Sequence, residues 1–275
     1  MQCPVHVRQV HRSRKAGPLV LLAVALLAGS VETARAAVII GPTAKLTVSN
    51  TVYDIGIVTV RDATTGKVTY ALGVDENGEI LPWSLQTAEF SVLVDGVLDP
   101  DPSIAYGVVV TDLGAPTTFT FSFLLPIVPV AGPNVVQGSL VGGLTDASGN
   151  GVSLTPTAAT VQQSFVADSV TSTPLTSMGV DVGLGVAFGA GSPGSLYGYG
   201  PFSAGPIVGP VGPPSWDTLV VTTAFTMSGS GDVAALTGFA SITPGVLVPE
   251  PGTMISAAVG VGLLALLRIR RRRAA

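Results

Sequence analysis

Thr118-Phe119-Thr120-Phe121-Ser122-Phe123 puts three phenylalanines on one side of an extended chain and three hydroxyls on the other. That period of two is the pattern of a half-buried β-strand, because successive side chains leave a strand on opposite faces. Leu219, Val221, Thr223, Phe225 and Met227 form a second such face. Phe90 to Val94, Val108-Val109-Val110 and Val52 to Val60 are further strand candidates, rich in the β-branched residues that fit a pleated surface. Turn signals separate them: Thr65-Gly66, Asn77-Gly78, Asp95-Gly96, Ser148-Gly149-Asn150-Gly151 and Ser228-Gly229-Ser230-Gly231. Strands at this spacing, with no long helical pattern, predict an all-β body, an antiparallel β-sandwich. Asp112 to Phe123 and Asp217 to Met227 both set an aromatic–threonine strand after an aspartate, but no internal repeat emerges.

Gly183 to Pro214 is dense in glycine and proline and reads as a long loop, or as a division of the body near residue 190. Within it Tyr197, Tyr199 and Phe202 are separated by glycines. They read either as an aromatic platform for sugar rings or as side chains folded back onto the sheet. Trp83 and Trp216 are the other candidate glycan contacts.

Charge is distributed unevenly. The net charge of −4 hides an acidic body between two basic ends: from Ala37 to Pro249 the basic residues are Lys45, Arg61 and Lys67. Nucleic acid is excluded as a partner, since neutralising phosphates takes lysine and arginine. The body is not disordered by composition, because aliphatic runs recur and no block of like charge interrupts them.

Chemistry is limited by what the body lacks. Cys3, His6 and His11 are the chain's cysteine and histidines, and all lie in its first fifteen residues. Without them the body predicts no disulfide, no thiolate or imidazole metal site and no histidine-based triad. No phosphate-cradling or dinucleotide fingerprint is present, so no cofactor is implied; Gly183-Leu184-Gly185 is a fragment of a glycine-rich stretch. Carboxylates remain. A glycan hydrolase would need two across a cleft, and the sequence cannot pair them. Asp75-Glu76-Asn77-Gly78-Glu79 and the group Asp95, Asp99, Asp101 are oxygen-rich and read as calcium-holding loops or as solvated acidic turns. Neither fits the calcium-loop pattern, so no metal site is assigned.

The two ends read as processing signals. Arg8, Arg12, Arg14 and Lys15 precede the apolar run Leu19 to Ala28, and Ala34-Arg35-Ala36 follows. A basic region, a short apolar core and an A-x-A site predict a secretory signal peptide over residues 1–36, recognised at Ala34 and Ala36 and cut after Ala36. The run is too short to span a bilayer, which takes about 20 apolar residues. Export translocon and signal peptidase are the implied partners. The body then covers residues 37–247.

At the other end stand Val248-Pro249-Glu250-Pro251, an uncharged stretch from Gly252 to Leu267, and a basic stop of Arg268, Arg270, Arg271, Arg272 and Arg273. The two prolines keep the first part extended. As a helix the stretch would be about 24 Å long, short of the roughly 30 Å hydrocarbon core, a weak transmembrane anchor. The positive-inside rule leaves the arginines in the cytoplasm and the body outside, the orientation that export also gives.

This order resembles the PEP-CTERM sorting domain of Gram-negative bacteria. The resemblance covers residues 248–275 and departs at Gly252, where Ser, Thr or Ala is common in the family. It implies that Pro249, Glu250 and Pro251 form the motif recognised by exosortase, a membrane-embedded processing enzyme, and that the helix and arginines are discarded. It further implies transient residence in the inner membrane, then the cell surface or extracellular matrix, in company with extracellular polysaccharide or biofilm. The expected function is thus a non-enzymatic secreted or surface protein. A carbohydrate-binding module is the alternative, and a carboxylate-based hydrolase the third reading. Ice binding, a heading under which such tails have been catalogued, lacks its regular T-x-T array here.

Overall fold

Residues 41–73, 80–130, 134–167, 180–208 and 216–244 are described by a computed structural model. The expected signal peptide, the expected sorting tail with Pro249, Glu250 and Pro251, and the acidic segment Asp75 to Glu79 lie outside the described residues. Within them the chain forms strands, numbered β1 to β16 in chain order, and every pairing is antiparallel.

Two eight-stranded sheets result. Across sheet A run β12 (Val180–Val182), β11 (Gln162–Ala167), β15 (Trp216–Met227), β8 (Thr118–Val130), β1 (Thr43–Val48) and β2 (Thr51–Asp54). β10 (Val152–Pro156) also pairs β15 and carries β13 (Val186–Phe188) on its other side. Across sheet B run β14 (Ser195–Val208), β9 (Asn134–Asp146), β16 (Asp232–Pro244), β7 (Ser103–Asp112), β6 (Phe90–Asp99), β4 (Val68–Leu72) and β3 (Ile57–Arg61). β5 (Trp83–Gln86) pairs β6 beside β4.

The alternating residues of β8 and β15 supply the centre of the core. Phe119, Phe121, Phe123, Leu219, Val221, Thr223 and Phe225 have no exposed surface. β8 and β15 are neighbours, with Phe121 opposite Thr223 and Phe119 opposite Phe225. From sheet B, Phe90 meets Phe119 edge-on at 5.6 Å and Tyr106 meets Phe123 at 4.7 Å between ring centroids. One buried cluster therefore extends from Ala44 to Ile242 and draws on both sheets. Each such side chain contributes about 1.5–3 kcal/mol by leaving water. The expected sandwich is what these faces build.

Three local expectations change. Val52 to Val60 is two strands in different sheets, because the chain crosses between them at Ile55-Gly56. The Ile55 amide donates to the Ala44 carbonyl at 2.9 Å, while the Gly56 carbonyl accepts from Gly73 at 2.7 Å. Asp95-Gly96 is no turn. It lies inside β6, whose ladder with β7 runs unbroken through Asp95↔Gly107 and Gly96↔Tyr106. Gly183 to Pro214 is more than a loop, for it contains β13 and the fourteen-residue β14. β14 tolerates its prolines as an edge strand, with register breaks between Tyr199 and Phe202 and between Ala204 and Ile207, at the two Gly-Pro pairs.

At one pole the chain repeatedly changes sheet, through 113–117, 147–151, 189–194 and 228–231. The opposite pole holds the β6–β7 turn and the end of β16 at Pro244.

Candidate functional site

Of the two readings of Tyr197, Tyr199 and Phe202, the geometry fits side chains folded back onto the sheet. Tyr199 is 1 % exposed, and its hydroxyl donates to the Leu184 carbonyl at 3.0 Å. Burial raises its pKa and keeps the phenol neutral. Phe202 lies against Tyr199 at 4.9 Å, and Tyr197 stacks on Phe188 at 4.4 Å with 11° between the rings. All three pack toward the core, Tyr199 buried and Tyr197 and Phe202 half-buried, whereas Leu196 and Ile207 of the same strand face outward. Trp83 likewise leans on the core from β5. The side chain of Trp216 lies outside the described residues.

The acidic group Asp95, Asp99, Asp101 is divided as well. Lys67 binds Asp99 at 2.7 Å and approaches Asp101 at 3.8 Å, and the Asp101 amide donates to Asp99 Oδ1. A lysine thus occupies the position a cation would take. Its pKa is raised, first by the Asp99 hydrogen bond. Asp95 stands apart on the outer side of β6.

Sequence reasoning missed the buried aspartates. Asp112, Asp146 and Asp232 lie at the ends of three adjacent strands, and none has exposed surface. Asp146 accepts from the amides of Gly149 (2.6 Å) and Gly151 (2.8 Å). Asp232 accepts from the Ala147 amide (3.2 Å) and from Ser228 Oγ (2.5 Å). Asp112 Oδ2 accepts from the Thr117 amide at 2.9 Å, and its Oδ1 has no partner. Each carboxylate holds a sheet-changing loop closed. Their one sequence signal is an aspartate at a strand end beside a Gly/Ser turn.

Between the sheets, Tyr106 of β7 donates to Gln162 Oε1 of β11 at 2.8 Å and also meets Thr223 Oγ1 of β15. Gln162 Nε2 donates to the Phe239 carbonyl of β16 at 3.1 Å and to Ser164 Oγ at 3.3 Å. The network is closed, and burial pushes the Tyr106 pKa upward. It ties the sheets together and offers nothing to a ligand.

The outer face of sheet B is different. A shallow groove of about 610 Å³ crosses β3, β4, β6, β7 and β16, and a second depression of about 210 Å³ continues it along β6, β7 and β16. Asp95, Gly107 and Thr237 belong to both. Asp95 and Thr237 are the register partners of Gly107 on its two sides. A carboxylate and a hydroxyl thus flank a position without a side chain. A Cβ on Gly107 would collide with Asp95 Oδ1, so the glycine makes the seat of the carboxylate. Apolar rows border this polar one: Leu93, Val109 and Ala235 on one side, Val97, Ala105 and Phe239 on the other. Leu93, Val97 and Val109 are 41 %, 46 % and 39 % exposed.

The described fold belongs to the class of all-β proteins built from two antiparallel sheets stacked as a sandwich. No family model and no curated protein matches the sequence. Among solved structures, a chain titled as TmCBM61 in complex with β-1,4-galactotriose is similar over 56 % of this chain and 88 % of its own, at 12 % identity and a TM-score of 0.26. The enzymatically active domain of bacteriophage CBA120 tailspike protein 4 is similar over 74 % of this chain and 19 % of its own, at 11 % identity and a TM-score of 0.21. Likenesses of this size do not assign a function.

Proposed function

We propose that the chain is a non-enzymatic exported protein, sorted by exosortase to the surface or matrix of a Gram-negative bacterium, where its sandwich accompanies extracellular polysaccharide. One observation carries the reading. The last strand among the described residues, β16, ends at Pro244, and Val248-Pro249-Glu250-Pro251, the uncharged stretch and the arginine stop follow three residues later. A folded body leading directly into a short anchor suits a protein held briefly and then released. The buried carboxylates support the non-enzymatic part, because Asp146 and Asp232 spend both oxygens on loop donors. A hydrolase would need two carboxyls free to face a cleft.

Mass spectrometry of the mature C-terminus, with and without exosortase, tests the sorting. Loss of Arg268 to Ala275 only when exosortase is present is the expected result. The same residues retained in the mature wild-type protein would overturn it. The groove on sheet B favours a second reading, a carbohydrate-binding module acting without catalysis.

A further inference from the structure

We propose that the outer face of sheet B is a binding groove for an uncharged, hydroxyl-rich chain, a neutral glycan strand whose hydroxyls donate to Asp95. The inference rests on the matrix association proposed above and supplies its site.

Shape comes first. The groove crosses five adjacent strands, about 19 Å at the usual strand spacing. Its volume lies in the range of ligand sites, about 300–1,000 Å³. Its floor is low because Gly107, Ala105 and Ala235 carry little or no side chain.

Chemistry comes next. Asp95 is exposed and takes no hydrogen bond among the described residues, unlike the aspartates that hold loops. A carboxylate accepting from hydroxyls makes charge-assisted bonds, the stronger kind. Thr237 stands two strands away, and the Asp95 carboxylate lies over Gly107 between the two strands. Polar atoms thus form one row across the strands, with apolar rows on both sides. A sugar ring matches that banding, since its hydroxyls lie at the rim and its C–H groups on the faces.

Charge decides between occupants. Asp95 is the charged residue of the groove, no Lys or Arg lies between Val68 and Leu267, and Lys67 is engaged by Asp99. A polyanion, whether uronate chain or nucleic acid, would meet repulsion at Asp95, and the residues lining the groove include no base to offset it. A cation would gain only the weak attraction of an exposed pair and leave Thr237 and the apolar rows unused. A second copy docking face to face about this point would bring its own Asp95 toward the first, like charge against like.

The test uses the full chain purified in detergent, its D95A and A105K variants, and affinity electrophoresis through gels containing glucan, mannan, xylan or polygalacturonate. Both substitutions are on the exposed side of the sheet, and thermal melting checks that each variant folds. At least one neutral polysaccharide should retard the wild type and polygalacturonate should not. D95A and A105K should each weaken retardation at least tenfold. Wild-type retardation that survives both substitutions would overturn the groove, as would equal retardation by polygalacturonate or no retardation by any neutral gel. Self-association that A105K abolishes would reassign the face to a second copy. Co-fractionation with native matrix separates the two levels of the proposal. A wild type that fails to co-fractionate removes the matrix reading, whereas D95A and A105K proteins that still co-fractionate remove the groove alone.

Discussion

Asp112 closes β7 and Asp232 opens β16 at directly opposed positions of the ladder, and both side chains are fully buried. Two carboxyls in register at the end of a sandwich are an electrostatic liability, relieved for Asp232 by Ala147 and Ser228 and for Asp112 by Thr117 alone.

That imbalance makes stability depend on pH. Burial raises the Asp112 pKa above its ordinary 3.8, opposed by the Thr117 bond and reinforced by the neighbouring Asp232. A carboxyl raised in the folded state binds its proton more tightly there. Its favourable contribution is complete below about 3.8 and is lost as pH rises through the folded value. D112N keeps an acceptor for Thr117 and cannot ionise. It should melt higher than wild type at pH 7, with relief on the order of 1 kcal/mol, the size of one net hydrogen bond. The gap should close toward pH 3, as circular dichroism melts from pH 3 to 8 would show. A gap of constant size would exclude the titration of Asp112 as its origin.

The inter-sheet network predicts a coupled pair. Y106F leaves Gln162 Oε1 and Thr223 Oγ1 without their shared phenol and should cost about 1–3 kcal/mol in urea unfolding. Adding T223V should recover part of that loss, because one orphaned hydroxyl is then removed. Additive costs would show that Tyr106 and Thr223 do not act together.

For the loops, D146A removes the acceptor of the Gly149 and Gly151 amides. Bonds to charged groups contribute about 1.5–3 kcal/mol each, so the cost should exceed that of D101A on the exposed β6–β7 turn. Hydrogen exchange should speed at 147–151 in D146A and remain unchanged at the distant turn.

The core prediction is larger. F121A or F225A truncates a ring with no exposed surface, and the two rings stack 6.3 Å apart. Each should cost about 3–5 kcal/mol, read as a lower urea midpoint. A loss below 1 kcal/mol would mean that the packing of β8 on β15 is wrong.

A last prediction joins the fold to the proposed sorting. β16 is a central strand, bonded to β9 as far as Pro244, and Pro249 is five residues further. Fully extended, those residues reach about 17 Å. On the proposed sorting, a folded sandwich that near would crowd the enzyme that cleaves at the motif. A ten-residue Gly/Ser spacer after Pro244 should accelerate tail loss in a pulse-chase experiment, and an unchanged rate would show that the crowding has no effect.

Much was legible without coordinates. The Phe119, Phe121, Phe123 alternation gave β8 and its buried side, and Leu219 to Met227 gave β15, because a period of two is a property of the strand itself. The Gly/Ser clusters at 148–151 and 228–231 gave true reversals. The failures share one cause: pairing overrode local preference. β14 forms through its glycines and prolines because β9 supplies the ladder, and Asp95-Gly96 stays extended because β7 does.

The sequence by itself determined an all-β body without cysteine or histidine, acidic between basic ends, since composition and periodicity need no partner to be read. Only the tertiary structure decided where its polar atoms go. Tyr106 and Gln162 lie 56 residues apart, and Asp112 and Asp232 stand on neighbouring strands. Tyr197, Tyr199 and Phe202 turn inward, and Asp95 is left facing outward across Gly107. Strand order sets those meetings, and strand order arises from the packing of two faces, which no local window of the chain contains.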